Sequence, residues 1–285
     1  AFLPSLVSSS PLGGLVYLGA GAGEDLDLWL EAGVSRVVLV EPNPNLVRVL
    51  GSKAADMDSV EVLPLAVAEV SGQANFHLLN AVTYSSLRQP TGLKALFPGL
   101  RQTHELTVDT IAVGDLIRQI ALPERGAHVL IIDAAGEEMA IVAALIEAGF
   151  LGQFEHVILR GGSEAMYEGS AGIDSVFPLL TQAGYVVQAR QEDVPDFPEL
   201  YLQRDAVQIQ NAELKQQVET LTKALDGAKA QAAEAETNRI GLEQEIAATK
   251  ARRVQAETAW KDLNERLKRQ TADAAAVGQS FEARL

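Results

Sequence analysis

The chain has 285 residues, 47% of them hydrophobic, with 23 basic and 38 acidic side chains and a formal charge of −15. The absence of cysteine excludes a disulfide scaffold, a thiolate zinc site and a cysteine nucleophile, and no apolar run approaches the ~20 residues that cross a bilayer. Residues 1–204 carry 11 Lys/Arg against 25 Asp/Glu and repel phosphate backbones, so nucleic acid is not an expected partner, whereas residues 205–285 carry 12 against 13.

The opening AFLPSLVSSSPLGG has neither an initiator Met nor a basic stretch. It does not read as a signal peptide and is compatible with the cut end of a longer chain. A cytoplasmic location is the expectation from the lack of export or membrane signals. From there, short apolar runs alternate with helix-period segments. LVYLGA (15–20) reads as a strand, EDLDLWLEAG as a helix stopped at Gly33, and RVVLVE (36–41) as a second strand. NPNLVRVLGS reads as a helix entered through Asn43 and Pro44, followed by a third strand over VEVLPLAV (60–67). ANFHLL and HELTVDT are shorter strands around a Ser/Gly/Pro loop. HVLIID (128–133), the helix GEEMAIVAALIEAG, the strand EHVILR, a helix to Gly184, and the strands YVVQAR and ELYLQ complete the series. This alternation predicts an α/β fold, a Rossmann-like doubly wound, mostly parallel sheet with both faces covered. In such sheets the ligand sits at the carboxyl ends of the strands, by the switch point.

Pro198 is the last proline, and the remainder is rich in Ala, Glu, Lys, Gln and Leu. A seven-residue repeat places Leu214, Leu221, Leu242 and Leu263 at d-type positions, and Val218, Leu225, Ile246, Trp260 and Leu267 at a-type positions. The register extends to Val277 and Phe281 without a slip. This pattern predicts two domains, 1–204 and a coiled-coil helix over 205–285 that forms a homo-oligomer. About 75 helical residues would span on the order of 110 Å. Asn211, Arg239 and Arg253 fall on the seam as register devices, while Gly227 and Gly241 are weak points. The alternative is a long helix folded back on the first domain or on itself.

The motif Gly19-Ala20-Gly21-Ala22-Gly23 follows the first strand and opens a helix. Its spacing is G-x-G-x-G and lacks the third-glycine offset of the dinucleotide fingerprint. Glu24, Asp25 and Asp27 come next, and three carboxylates at a helix N-terminus oppose a pyrophosphate. S-adenosylmethionine has no phosphate and carries a sulfonium and an ammonium, so it meets that electrostatic demand; a purely structural glycine turn is the alternative. Glu41 ends the second strand about 20 residues past the loop, where a carboxylate can accept both hydrogen bonds of a ribose diol. It could also be a surface carboxylate flanking the helix that starts at Pro42-Asn43.

The segments VYLGAGAG, VEPNPNLVRVL, VLPLAVAEVSGQANFHL, YSSL, TVDTIAVGDLI and IIDAAGEEMAIV occur in that order. Over roughly residues 12–190 they resemble the FkbM-type class I S-adenosylmethionine-dependent methyltransferases. The resemblance implies O-methylation of a sugar, polyketide or similar hydroxyl acceptor, and a seven-stranded sheet with an antiparallel member in its last strand pair. It further implies that Gly19, Gly21 and Gly23 line the methionine part of the cofactor and that Glu41 holds the ribose. Asp133 and Glu138, on either side of Gly136, match the two acids of the family's D-x-E-G-x-E segment and are the candidate catalytic residues. Asp133 is the first candidate to orient or deprotonate an acceptor hydroxyl. Ser85 and Ser86 match a family serine pair on the substrate side. The chain departs from the pattern at Tyr17, two residues before the glycine loop, at Ala135, and at Leu159-Arg160, positions where the family tends to carry acids.

The four histidines, His77, His104, His128 and His156, show no metal-ligand spacing. His128 and His156 begin buried strands and read as structural, while His104 is a minor acid/base candidate. Arg160-Gly161-Gly162-Ser163 reads equally as a substrate-contacting loop or a plain strand exit, and Glu137 as support for a helix start. Three functions are compatible with these readings. The first is a methyltransferase with a coiled coil. The second is a catalytically silent domain in an oligomerising scaffold. The third is a nucleotide- or NAD-binding oxidoreductase, which the glycine spacing and Glu24, Asp25 and Asp27 disfavour.

Overall fold

The computed structural model describes residues 11–282, and the side chains of residues 208, 212, 213 and 277 onward fall outside that description. The N-terminal segment as far as Ser10 and the seam positions Val277 and Phe281 therefore lie outside the described side chains. The chain divides into two compact units, residues 1–211 and 212–285.

The strands of the first unit are β1 (Leu12–Leu18), β2 (Arg36–Val40), β3 (Val60–Leu63), β4 (Ala66–Ala68), β5 (Gly72–Leu79), β6 (Gln102–Ala112), β7 (Ala127–Ile132), β8 (His156–Arg160), β9 (Tyr185–Gln191) and β10 (Glu199–Arg204). Its helices are α1 (Leu26–Glu31), α2 (Pro44–Lys53), α3 (Gly92–Leu96), α4 (Val113–Gln119), α5 (Glu138–Glu147) and α6 (Ile173–Gln182). Seven strands form one sheet in the order β3-β2-β1-β7-β8-β10-β9. β10 runs antiparallel to both β8 and β9, and the remaining pairings are parallel. The expected Rossmann-like, doubly wound sheet with one antiparallel member is therefore observed. The chain builds outward from β1 to β3 and then returns to β7 on the other side of β1, so the switch point lies between β1 and β7.

Alternate residues of each strand feed two cores. Val16, Leu18, Val38, Leu130, Ile132 and Val157 face the side covered by α4, α5 and α6. Leu15, Val37, Leu39, Val129, Ile131 and Ile158 face the side that carries Leu26 and Trp29 of α1 and Leu50 of α2. Fully burying each such side chain contributes about 1.5–3 kcal/mol, which is why these strands read as continuous apolar runs. Local chemistry sets the joints. Asn43 caps α2 by accepting from the amide of Asn45 at 3.0 Å, with Pro44 in the first turn.

Three local expectations are corrected. The run 60–67 is two strands, because Pro64 interrupts it: β3 stays in the large sheet, while β4 joins a small sheet of order β4-β6-β5. The short helix α3 lies within the expected Ser/Gly/Pro loop, and α4 follows directly on β6 where no helix is expected. The helix expected over 24–33 begins only at Leu26, so Glu24 and Asp25 stand before it and not within its first turn.

Helix α7 spans Ala206–Glu282, 77 residues. Its first residues belong to the first unit, where Ile209 packs so closely on Gly184 that a Cβ added there would lie 2.3 Å from Ile209 Cγ1. In the second unit the apolar seam side chains Leu221, Leu242, Ile246, Trp260, Leu263 and Leu267 are all exposed. Among the described residues, no helix is long and apolar enough to cross a membrane.

Candidate functional site

A cleft of about 480 Å³ opens at the carboxyl ends of β1, β2, β7 and β8. The turn after β1 forms its floor. Each glycine there has positive φ: +81° at Gly19, +59° at Gly21 and +65° at Gly23. Their surroundings differ. A Cβ on Gly19 would lie 2.2 Å from the carbonyl oxygen of Asp133, and one on Gly23 would lie 2.7 Å from Leu50 Cδ2. A Cβ on Gly21 would meet only Glu24 Oε2, at 3.6 Å. Gly19 and Gly21 line the cleft, whereas Gly23 is turned toward α2 and packs on Leu50.

Glu41 follows β2 and is 5% exposed. Its Oε2 accepts from the amide of Gly21 at 2.9 Å and its Oε1 from that of Asn43 at 2.8 Å. Burial pushes this carboxyl up to about 7, against the two amides, which favour its charged form. A carboxylate has about four lone-pair sites, so two remain for a ligand in the cleft. Leu65, Val67 and Phe76 make an apolar wall nearby.

At the other end, side chains from four segments converge on one guanidinium. Arg160 Nη2 donates to Asp25 Oδ2 at 2.9 Å, Nε to Glu199 Oε2 at 2.5 Å and Nη1 to Asp133 Oδ2 at 3.4 Å. Nη1 also donates to the Tyr17 hydroxyl, and the guanidinium carbon lies 5.7 Å from the Tyr17 ring centroid. Tyr17 in turn donates to Asp133 Oδ2 at 3.4 Å. Burial raises the Asp133 carboxyl to about 6, with Arg160 and Tyr17 pulling the other way. The departures at Tyr17 and Arg160 are thus a single hydrogen-bonded cluster. Three carboxylates around one guanidinium leave it net acidic. Glu24 and Asp25 line the cleft; Asp27 does not, and is exposed.

Glu138 opens α5 and lies behind the cleft lining. It is 6% exposed, accepts from the amide of Gly136 at 3.1 Å, and is pushed up to about 7 by burial. Glu137, expected only to support a helix start, does line the cleft. Arg88 grips it with two hydrogen bonds, Nε to Oε1 at 2.6 Å and Nη2 to Oε2 at 3.1 Å. The loop before α3 forms the far wall. Ser86 Oγ donates to the carbonyl of Ala135 at 2.5 Å, and Ser85 Oγ accepts from the amide of Leu79 at 3.1 Å. Both serines therefore tether the wall, which gives them a structural task at the cleft edge.

Of the 160–163 segment, Arg160 reaches the cleft while Gly161 packs on Glu138 and Gly162 on Met166. His128 Nδ1 accepts from the amide of Gly14 at 2.9 Å, and His156 pairs with the Tyr201 hydroxyl at 3.0 Å, so both are structural. His104 is exposed on β6, away from the cleft. No His/Asp/Glu cluster suited to a metal occurs among the described residues. Glu199 and Arg88 carry no sequence signal for a site role. Glu199 enters through the antiparallel pairing that sets it opposite Arg160.

No protein-family model and no curated protein matches this chain. Solved structures resemble it at low identity. The methyltransferase FkbM from Methylobacillus flagellatus is 14% identical, with 67% of this chain aligned to 44% of that one at a TM-score of 0.43. The N-methyltransferase NodS from Bradyrhizobium japonicum is 11% identical over 71% of this chain and 92% of that one, TM-score 0.42. The ribosomal protein L11 methylase from Lactobacillus delbrueckii is 9% identical over 72% and 77%, TM-score 0.39.

Proposed function

We propose that the first unit is a class I S-adenosylmethionine-dependent methyltransferase of the FkbM type that O-methylates a sugar or other small hydroxyl acceptor. The observation that carries this reading is Glu41: a buried carboxylate held by two backbone amides, with lone pairs left over at the edge of an open cleft. Such a group suits a ribose diol, and the apolar wall of Leu65, Val67 and Phe76 suits an adenine. The net acidic cluster beyond suits a cationic sulfonium, and Glu24 and Asp25 at the turn disfavour a pyrophosphate.

When bound, the cofactor supplies an electrophilic methyl group. The chain's own residues do the rest. Glu41 and the Gly21 turn fix the nucleoside, and the cleft orients the acceptor, which is where much of the rate of an in-line displacement arises. Asp133 takes the proton from the acceptor hydroxyl, and Glu138 acts behind it as a positioning residue for the Gly136 turn. Calorimetric titration of the full chain with S-adenosylmethionine, with Glu41→Ala as control, tests the reading. Micromolar binding weakened at least tenfold by the substitution supports it, and no binding to the folded chain sinks it.

The C-terminal helix self-associates through its a/d seam in this reading, as the exposure of Leu221, Leu242, Ile246 and Leu263 supports. A second reading, a silent domain in a scaffolding chain, is favoured by one observation: Arg160 already occupies the carboxylates that a cationic ligand would use. The same titration separates the two.

A further inference from the structure

Among the described residues that line the cleft, Arg160 is the one cation, and it stands at the end that the cofactor reading assigns to the amino-acid part. Its side chain and those of its partners Asp25 and Asp133 all line the cleft. A guanidinium has five N–H donors. Four of them are engaged here, by Asp25, Glu199, Asp133 and the Tyr17 hydroxyl. One free donor cannot form the paired fork that recognises a carboxylate. Arg160 is therefore poorly placed to anchor the carboxylate of an amino-acid ligand. It is well placed to do the opposite for an ammonium, because it occupies Asp25 Oδ2 and repels a second cation at close range.

We infer that Arg160 is an internal counter-cation that competes with the ammonium end of the cofactor for Asp25, so that the nucleoside end carries nearly all of the binding. The inference rests on the S-adenosylmethionine reading and deepens it. Glu199 and Tyr17 make the competition persistent. Glu199 faces Arg160 directly across the β8–β10 pairing, and the Tyr17 ring lies beneath the guanidinium, so the side chain has a fixed seat from which a ligand must displace its other contacts.

The test uses the full chain and two probes, S-adenosylmethionine and 5′-methylthioadenosine, which keeps the nucleoside and lacks the amino-acid part. Wild type binds the two within about threefold of each other. Arg160→Gln binds S-adenosylmethionine at least tenfold more tightly while its affinity for methylthioadenosine stays within twofold. Arg160→Lys, which keeps a charge but cannot engage three carboxylates at once, gives an intermediate ratio and serves if the glutamine variant does not fold. The inference is overturned if Arg160→Gln weakens S-adenosylmethionine alone, which would make Arg160 an anchor, or if the ratio of the two affinities does not move in either variant. Binding of methylthioadenosine to wild type keeps the nucleoside part of the cofactor reading standing in those cases. Loss of both ligands from every variant, wild type included, removes the cofactor reading and this inference with it.

Discussion

The carboxylate of Glu41 accepts a hydrogen bond from the backbone amide of Gly21 at 2.9 Å, joining the turn after β1 to the end of β2. This contact fixes the turn and presents the rest of the carboxylate to the cleft. Replacing Glu41 with Ala removes the acceptor proposed for the ribose and leaves the amides of Gly21 and Asn43 without this partner. The expected loss of S-adenosylmethionine affinity is at least tenfold, about 1.4 kcal/mol, with a comparable loss for methylthioadenosine. Equal affinities for wild type and variant by calorimetry would remove Glu41 from the site.

The glycines of the turn should separate fold from binding. Gly19→Ala drives a Cβ to 2.2 Å from the Asp133 carbonyl in a left-handed conformation, with no flexible side chain to yield. A loss of about 3 kcal/mol or more is expected, visible as a large drop in Tm. Gly21→Ala makes only an ordinary van der Waals contact, with Glu24 Oε2, and pays for its φ of +59°, roughly 1 kcal/mol, so its effect should fall on ligand affinity. Equal Tm shifts for the two variants would contradict these surroundings.

Asp133 carries a carboxyl raised by burial to about 6. Acting as a base, it must be ionised, so the methyl-transfer rate should climb as pH rises through about 6 and level off above. Asp133→Asn should lower kcat by roughly 100-fold or more, while methylthioadenosine binding is retained. Transfer of labelled methyl to a panel of hydroxyl acceptors measures both. A variant as fast as wild type would leave the base elsewhere.

Glu138 has its carboxyl raised by burial from 4.5 to about 7. A folded-state value above the unfolded one favours the folded protein fully below about pH 4.5, and that contribution disappears as pH rises through about 7. Glu138→Gln keeps an acceptor for the Gly136 amide without the buried charge. Its stability relative to wild type should therefore improve between pH 5 and pH 8, by on the order of 2 kcal/mol. Parallel Tm curves for the two proteins over that range would show that Glu138 does not titrate there.

The exposed seam of α7 predicts self-association. Sedimentation of the full chain should give a mass above that of one chain, 30.4 kDa. Substituting both Leu221 and Leu263 with Asp should return it to a monomer without changing ligand affinity. A wild type that sediments as a monomer at tens of micromolar would end the coiled-coil reading.

The sheet was legible because buried parallel strands announce themselves as unbroken apolar runs, and Gly33, Asn43 and Gly149 punctuate the helices. The single strand expected over 60–67 overlooks Pro64, and which sheet each half joins depends on long-range pairing that no local pattern encodes. At the site, Gly21, Glu41 and Asp133 stand next to strand ends and could be read directly. Arg160 stands out in the sequence only as a departure from a pattern. Its meaning depends on Tyr17, Asp25, Asp133 and Glu199 meeting from four segments, the last through an antiparallel register. Glu137 gives no local sign of its place in the cleft wall, because its partner, Arg88, lies 49 residues away on another loop.

β10 runs against its neighbours, with Glu199 at the cleft end and the amide of Arg204 bonded to the carbonyl of Glu155 at the opposite end of the sheet. β1 also starts at that opposite end, where Leu12 pairs with Ala127. The polypeptide thus enters and leaves the sheet on the same side, away from the cleft. Insertions, tags, fused reporters or surface tethers attached at either of these two points would leave the mouth of the cleft clear.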